Sequence, residues 1–268
     1  MSSRIHFHYN LFGNPKAPVI LFLHGFMGNG DDWQDCCQYL SDKFYCLTID
    51  LPFHGKTVIE GDENEITFEE TASSIIRLLA NLNIQRCYLV GYSMGGRIAL
   101  YLALNHPENF IRIVMESASP GLKTKQERNV RIETDTGVSE RLKSNKFNEF
   151  LIQWYKQPIF GDLIKQKNFN EILKRRRKED PEKLAISLKK LGTGIQPPLW
   201  EKLSQLDLYC LLVVGEKDLK FRSIANEMSN LNNMISIKGI ANCYHTIHLL
   251  KPDVFAGLLS DFFLSDSH

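Results

Sequence analysis

The stretch Gly91-Tyr92-Ser93-Met94-Gly95-Gly96-Arg97 constrains this chain more than any other. A serine stands between glycines, directly after the apolar run Cys87-Tyr88-Leu89-Val90 and directly before the helix-like Ile98-Ala99-Leu100-Tyr101-Leu102-Ala103. A strand that turns sharply into a helix lifts such a serine oxygen clear of the backbone. Small flanking residues let strand and helix pass closely. The pentapeptide also recurs by chance as a plain glycine-rich turn. The strand before it and the helix after it are the context that reads as a nucleophile elbow.

A serine hydroxyl needs a histidine to accept its proton and a third group to orient that histidine. Behind an elbow of this kind the chain order is Ser, then Asp or Glu, then His. Leu211-Leu212-Val213-Val214-Gly215-Glu216-Lys217-Asp218 reads as a buried strand running into a loop, with Asp218 just past its end. Ile235–Ile240 reads as a last short strand, followed by Ala241-Asn242-Cys243-Tyr244-His245. Side chains at the ends of successive parallel strands converge on one rim of a sheet. Ser93, Asp218 and His245 are therefore the predicted catalytic set. Asp218 is otherwise a solvated turn residue, with Glu216 or Asp207 as the alternative acid. His248 lies three residues after His245, on the same face of a helix starting there. It competes for the role, or stays in the site as a gating or hydrogen-bonding residue.

Near the N-terminus, Val19-Ile20-Leu21-Phe22-Leu23 is a continuous apolar run, as in a strand covered on both faces, and ends in His24-Gly25-Phe26-Met27-Gly28. Two backbone N–H donors are expected around a developing oxyanion, those of Met94 after the nucleophile and of Phe26 in this loop. His24 itself also reads as a hydrogen-bonded core histidine.

Strand-like runs at Val19–Leu23, Tyr45–Ile49, Cys87–Val90, Phe110–Met115, Leu208–Val214 and Ile235–Ile240 alternate with helical segments, notably Phe68 to Leu82. That alternation predicts an α/β fold, a mostly parallel sheet with helices on both faces. Between Gly121 and about Trp200 strand signals vanish. Phe147, Phe150, Leu151, Trp154 and Tyr155 there fall on one helical face. The predicted organisation is a core of residues 1–120 and 201–268 with a helical cap, 121–200, inserted after the fourth strand-like run. In 268 residues, 43% of them hydrophobic, there is chain enough for one such core.

Charge gathers in the cap. Residues 121–190 hold 18 Lys and Arg against 10 Asp and Glu, whereas the whole chain has a net charge of +1. Much of this is solvated helix surface, Lys174-Arg175-Arg176-Arg177-Lys178 included. Basic charge above a catalytic serine also suits an anionic substrate, since guanidinium groups match carboxylates bidentately. Nucleic acid is the weaker reading, because the run is short and no aromatics interleave it. Arg97 follows Ser93 by one helical turn on nearly the same side, where it either closes a seam salt bridge or faces substrate.

No apolar run is long enough to span a bilayer, and Met1-Ser2-Ser3-Arg4-Ile5-His6 leads into no signal-peptide stretch. The six cysteines lack metal spacing and read as reduced thiols, which points to a cytoplasmic protein. No Walker loop, dinucleotide fingerprint or zinc motif appears, so no cofactor or metal is expected. A monomer or weak homo-oligomer is expected.

With these residues in place the chain resembles the 2-succinyl-6-hydroxy-2,4-cyclohexadiene-1-carboxylate synthases of menaquinone and phylloquinone biosynthesis, which have the α/β-hydrolase fold. The resemblance runs over essentially the whole chain. It is carried by His24-Gly25-Phe26-Met27-Gly28 with Asp32-Trp33, by Asp50-Leu51-Pro52 with His54-Gly55, and by the elbow with Arg97. Glu116-Ser117-Ala118-Ser119-Pro120-Gly121-Leu122, Trp154-Tyr155, Gly192-Thr193-Gly194, Leu199-Trp200 and Lys220-Phe221 extend it. The elbow elements belong to a very large superfamily. Ser-Pro-Gly-Leu, the elbow arginine and the cap Trp-Tyr are far more particular.

The resemblance implies elimination of pyruvate from 2-succinyl-5-enolpyruvyl-6-hydroxy-3-cyclohexene-1-carboxylate, with Ser93, Asp218 and His245 as triad and the serine acting as a base. It implies Arg97, Arg131 and Arg176 as substrate-carboxylate ligands, with Arg128 the alternative to Arg131, and Arg175 or Arg177 to Arg176. Tyr92, Trp154 and Tyr155 would line the pocket. Three residues depart from the family pattern: Phe53 and Tyr244 where glycine is usual, and Leu250 at a commonly acidic position. The rival readings are a carboxylesterase or carbon–carbon bond hydrolase on an anionic substrate, and a non-catalytic binding protein on the same scaffold.

Overall fold

The computed structural model describes residues 3–144 and 146–265. Met1 and Ser2 of the expected N-terminal lead-in, Asn145 of the expected cap and residues 266–268 of the expected core lie outside the described residues. The chain builds one seven-stranded sheet whose order is β2 (Tyr9–Gly13), β4 (Tyr45–Ile49), β3 (Val19–Leu23), β6 (Cys87–Tyr92), β7 (Phe110–Glu116), β8 (Cys210–Gly215) and β9 (Ile235–Ile240). Only β2 runs antiparallel, pairing Tyr9 with Ile49. All other neighbours are parallel. β1 (Arg4–His6) and β5 (Val58–Glu60) form a separate antiparallel pair.

Strand period sets the two layers. On β3, Leu21 and Leu23 face one side, packed with α2 (Phe68–Asn81), α3 (Met94–Asn105) and α8 (Leu219–Ser229). Ile20 and Phe22 face the other side, with α1 (Gln34–Leu40) and α10 (Pro252–Leu264). From β3 the chain moves outward to β4 and then returns to β6 on β3's opposite side, so strand order reverses between β3 and β6. A crevice opens at the carboxyl ends of strands at such a reversal.

Six strands match the sequence expectation closely, whereas β1, β2 and β5 differ from it. β2 alternates exposed and half-buried residues, and β1 and β5 have three residues each, so none offers an apolar run. Between β7 and β8 lie α4 (Lys125–Leu142), α5 (Phe147–Tyr155), α6 (Phe169–Arg176) and α7 (Pro181–Leu191). Thr124 and Glu127 close a capping box on α4, and Asp180 caps α7 ahead of Pro181. These helices share a hydrophobic cluster of their own, which Met27 of the loop after β3 and Leu249 of the short helix Ile247–Leu250 join. Among the described residues no helix is long and apolar enough to cross a membrane.

Candidate active site

Ser93 sits between β6 and α3 at φ 49°, ψ −104°, a conformation that L-residues adopt at a cost of about 1–3 kcal/mol. Its N–H bonds to the Glu116 carbonyl at 2.9 Å, and the Gly95 N–H bonds to the His24 carbonyl at 3.0 Å. A β-carbon on Gly95 would overlap the Leu23 carbonyl, and one on Gly96 would overlap Ala118. The glycines are thus required by how closely α3 crosses β3 and β7.

His245 Nε2 lies 3.1 Å from Ser93 Oγ, and His245 Nδ1 lies 2.9 Å from Asp218 Oδ2. Asp218 is the residue before α8, and its other carboxylate oxygen accepts the Phe221 N–H at 3.2 Å. One short acidic side chain therefore caps a helix and fixes the imidazole together. Asp218 and His245 are both buried, whereas Glu216 and Asp207 are exposed. The ring of His245 rests on Phe221, centroids 4.6 Å apart, and the main-chain N–H of His245 donates to the Ile159 carbonyl, past the end of α5, at 3.3 Å.

The loop after β3 is held from beneath by two histidines. His24 Nε2 accepts the Leu51 N–H at 2.8 Å, and His54 Nε2 accepts the Met27 N–H at 3.2 Å. Burial pushes their pKa values down to about 4 and about 3, so both rings are neutral acceptors at pH 7. Phe26 and Met94 lie on the wall of one cavity with Ser93 and His245. Met94 opens α3, so its N–H has no carbonyl one turn earlier in the helix to bond.

That cavity has a volume of about 510 Å³, and Tyr92, Trp154, Tyr155 and Phe160 supply much of its aromatic wall. Arg97, Arg131 and Arg176 line it, whereas Arg128, Arg175 and Arg177 do not. Arg128 is turned to the carbonyls of Leu122 and Lys123. Arg131 binds Asp135 through Nε at 2.8 Å. Arg176 is buried, donating to both oxygens of Asp32 at 2.9 and 2.6 Å and to Tyr155 Oη at 2.8 Å. Burial alone would raise the Asp32 carboxyl, but the charges of Arg176 and Arg175 outweigh it and hold it below its ordinary value.

Arg97 differs from both. It is 8% exposed, reaches the Gln196 side-chain oxygen at 3.4 Å and lies over the Phe68 ring at 5.7 Å. Among the described residues it has no carboxylate within ion-pair distance, so the seam salt bridge does not form. Burial and then the Arg131 charge lower its pKa to about 9, which leaves it a cation at pH 7.

His248 corrects the expectation for it. It is absent from the cavity wall and lies behind it, its Nδ1 2.8 Å from the buried Glu116 carboxylate. The helix begins only at Ile247, so His245 precedes it and the two imidazoles share no helical face; His248 packs against the Tyr92 ring, centroids 4.6 Å apart. Phe53 keeps the backbone that glycine would have, at φ 67°, with its ring buried. Tyr244 lays its ring on Gly161, and Leu250 packs against the helices of 121–200. Sequence reasoning assigned no role to Asp32, Glu116, Glu179 or Gln196. Glu116 follows a strand just as Asp218 does, which is the signal that marks it. Gln196 carries no comparable signal.

Fold and geometry define an enzyme class, the α/β hydrolases with a serine, a histidine and an acid in hydrogen-bonded line, and a family model described as alpha/beta hydrolase fold matches residues 18–252. The putative 2-succinyl-6-hydroxy-2,4-cyclohexadiene-1-carboxylate synthase of Bacillus subtilis (strain 168) is 31% identical over 257 residues, 94% of this chain and 93% of that protein. Protein PHYLLO, chloroplastic, of Arabidopsis thaliana is 33% identical over 254 residues, and the chain spans only 15% of its length. The solved structure of MenH from S. aureus superposes with a TM-score of 0.89 at 31% identity, covering 96% of this chain and 97% of that one. The chain belongs to the 2-succinyl-6-hydroxy-2,4-cyclohexadiene-1-carboxylate synthase family of α/β-hydrolase-fold lyases.

Proposed function

We propose that this protein eliminates pyruvate from 2-succinyl-5-enolpyruvyl-6-hydroxy-3-cyclohexene-1-carboxylate in menaquinone or phylloquinone biosynthesis, with Ser93 as the base. Ser93 Oγ takes a ring proton as its own proton passes to His245 Nε2, and Asp218 stabilises the imidazolium. The freed electron pair forms the new ring double bond, and the carbon–oxygen bond to the enolpyruvyl group breaks. The departing oxygen collects a proton and the enol tautomerises to pyruvate. The N–H groups of Phe26 and Met94 face the negative charge that develops on a substrate oxygen. Residues 121–200 serve as the cap that excludes water.

The observation that carries this reading is Arg97, a buried cation without a carboxylate on the wall that Ser93 and His245 share. A site for a neutral ester has no use for such a charge, whereas a polycarboxylate substrate supplies its missing partner. Arg131 adds a second cation, and Arg176, already paired with Asp32, contributes mainly to the field. The cytoplasm is the proposed compartment, in keeping with six unpaired buried cysteines, and the chain acts as a monomer or weak homo-oligomer.

The hydrolase alternative keeps the same triad but makes Ser93 a nucleophile. Enzyme quenched during turnover of an activated ester and of the enolpyruvyl substrate separates the two by intact mass. The expected result is pyruvate release from the enolpyruvyl substrate with no adduct on Ser93. A rapid ester burst with an acylated Ser93, and no pyruvate, overturns the reading.

A further inference from the structure

Behind the triad lies a second buried carboxylate–imidazole pair, Glu116 and His248, that the chemistry above does not use. We infer that Glu116 is a positioning residue that sets the distance between Ser93 and His245. This inference rests on reading those two as the reacting pair.

Glu116 holds both of them by different atoms. Its main-chain carbonyl accepts the Ser93 N–H at 2.9 Å. Its carboxylate accepts the Ile247 N–H, accepts the His248 N–H at 3.3 Å and stands 2.8 Å from His248 Nδ1. Ile247 and His248 open α9 (Ile247–Leu250), whose preceding residue Thr246 provides no side-chain cap. The first N–H groups of a helix have no partner within it, and here they are buried. The Glu116 carboxylate supplies from 131 residues away the acceptor that a local cap supplies elsewhere. His245 lies two residues before that anchor, so the placement of α9 against β7 fixes the imidazole over the elbow.

His248 completes the anchor. Its ring is stacked on Trp33 at 4.3 Å and against Tyr92 at 4.6 Å, and among the described residues its Nε2 has no hydrogen-bond partner. A proton on Nε2 would be an orphaned buried donor, so the ring carries its proton on Nδ1, directed at Glu116. The carboxylate then meets three donors. An amide in its place has a single acceptor oxygen, so its NH2 must oppose either the α9 N–H groups or the His248 proton. Neither Glu116 nor His248 touches the cavity, so a displaced His245 slows the reaction without loosening substrate.

The test compares Glu116→Gln, His248→Asn and His248→Leu with the unmodified enzyme, at a temperature where circular dichroism shows each folded. Two rates are read: pyruvate release, and phosphonylation of Ser93 by a fluorophosphonate, which senses the serine–histidine geometry without substrate. Misplacing a reacting group by an ångström costs about a hundredfold, so Glu116→Gln is expected to lose about that much kcat, with KM within about twofold and phosphonylation falling in step. His248→Asn places an amide nitrogen where Nδ1 was and is expected to stay near the unmodified rate, whereas His248→Leu falls with Glu116→Gln. A pair that merely packs would lower Tm and leave kcat unchanged in all three. Unchanged kcat in folded Glu116→Gln, or equal impairment of the two His248 variants, overturns the inference. Should Glu116→Gln not fold, the His248 contrast decides it. An unmodified enzyme that is phosphonylated but releases no pyruvate refutes the lyase reading instead, and the phosphonylation rates still judge Glu116.

Discussion

Arg97 and Arg176 are both buried guanidinium groups on one cavity wall, yet only Arg176 is paired with a carboxylate. Arg97 has no carboxylate to strand, so Arg97→Ala is expected to leave Tm unchanged or raise it. The same change deletes a charge-assisted contact to substrate and lowers kcat/KM by about two orders of magnitude. Normal kcat/KM in that variant would remove the case for carboxylate binding. Asp32 is the reverse case. Asp32→Ala leaves Arg176 buried without its bidentate partner, an expected loss of about 3–5 kcal/mol in urea unfolding. Unchanged stability there would show that Arg176 does not depend on the pair. Ser93, Asp218 and His245 were legible in the sequence because each follows an apolar strand run, and chain order alone assigns their roles. Asp32 was not, because its partner Arg176 lies 144 residues away and only the folded chain brings them together.

At the scale of elements, the turn after α5 meets the loop after β9. Gly161 has φ +53°, and a β-carbon there would collide with the Tyr244 ring. Gly161→Ala therefore combines a left-handed backbone with a clash, an expected cost of about 1–3 kcal/mol. Its neighbours Ile159 and Phe160 line the cavity, so KM should rise as well. Adding Tyr244→Ala should recover the steric share and leave the backbone share. Strict additivity of the two changes in denaturant unfolding would contradict that contact. Phe147, Phe150, Leu151, Trp154 and Tyr155, expected on one helical face, all lie in α5, since five large apolar side chains at helical spacing leave little choice. β2 did not show itself, because an edge strand with one half-buried face owes its conformation to its pairing with β4.

In the molecule as a whole, backbone strain gathers at one rim. Among the described residues, Met27, Phe53, Ser93, Ser117 and Asn242 have positive φ on loops at the carboxyl ends of strands, and Asn83 is the one such non-glycine elsewhere. The helices of 121–200 close over that rim through Arg176–Asp32 and through Glu179, which accepts from Asn29 at 2.9 Å and from the Gly55 N–H at 2.8 Å. Burial raises the Glu179 pKa from 4.5 to about 7, against the pull of those donors. The folded state then keeps a proton that the unfolded chain gives up above 4.5. Its contribution is fully present below that pH and is lost as pH rises through about 7, a loss of about 3 kcal/mol. Tm of the unmodified protein minus that of Glu179→Gln should fall across this window. The difference isolates one carboxyl, since His24 and His54 titrate alike in both proteins. A flat difference would mean that Glu179 ionises normally. No sequence feature marked this seam, because Glu179 reads as one charge among many in a solvated run.

In the proposed reaction a serine held by His245 removes a proton from a polycarboxylate and releases pyruvate. Lactate dehydrogenase and NADH report that pyruvate directly when the enolpyruvyl substrate is mixed with enzyme. One pyruvate per cyclohexadiene formed is expected, with a loss of at least about a thousandfold in rate for Ser93→Ala. Absence of pyruvate with the unmodified enzyme, or an undiminished rate in Ser93→Ala, would contradict it.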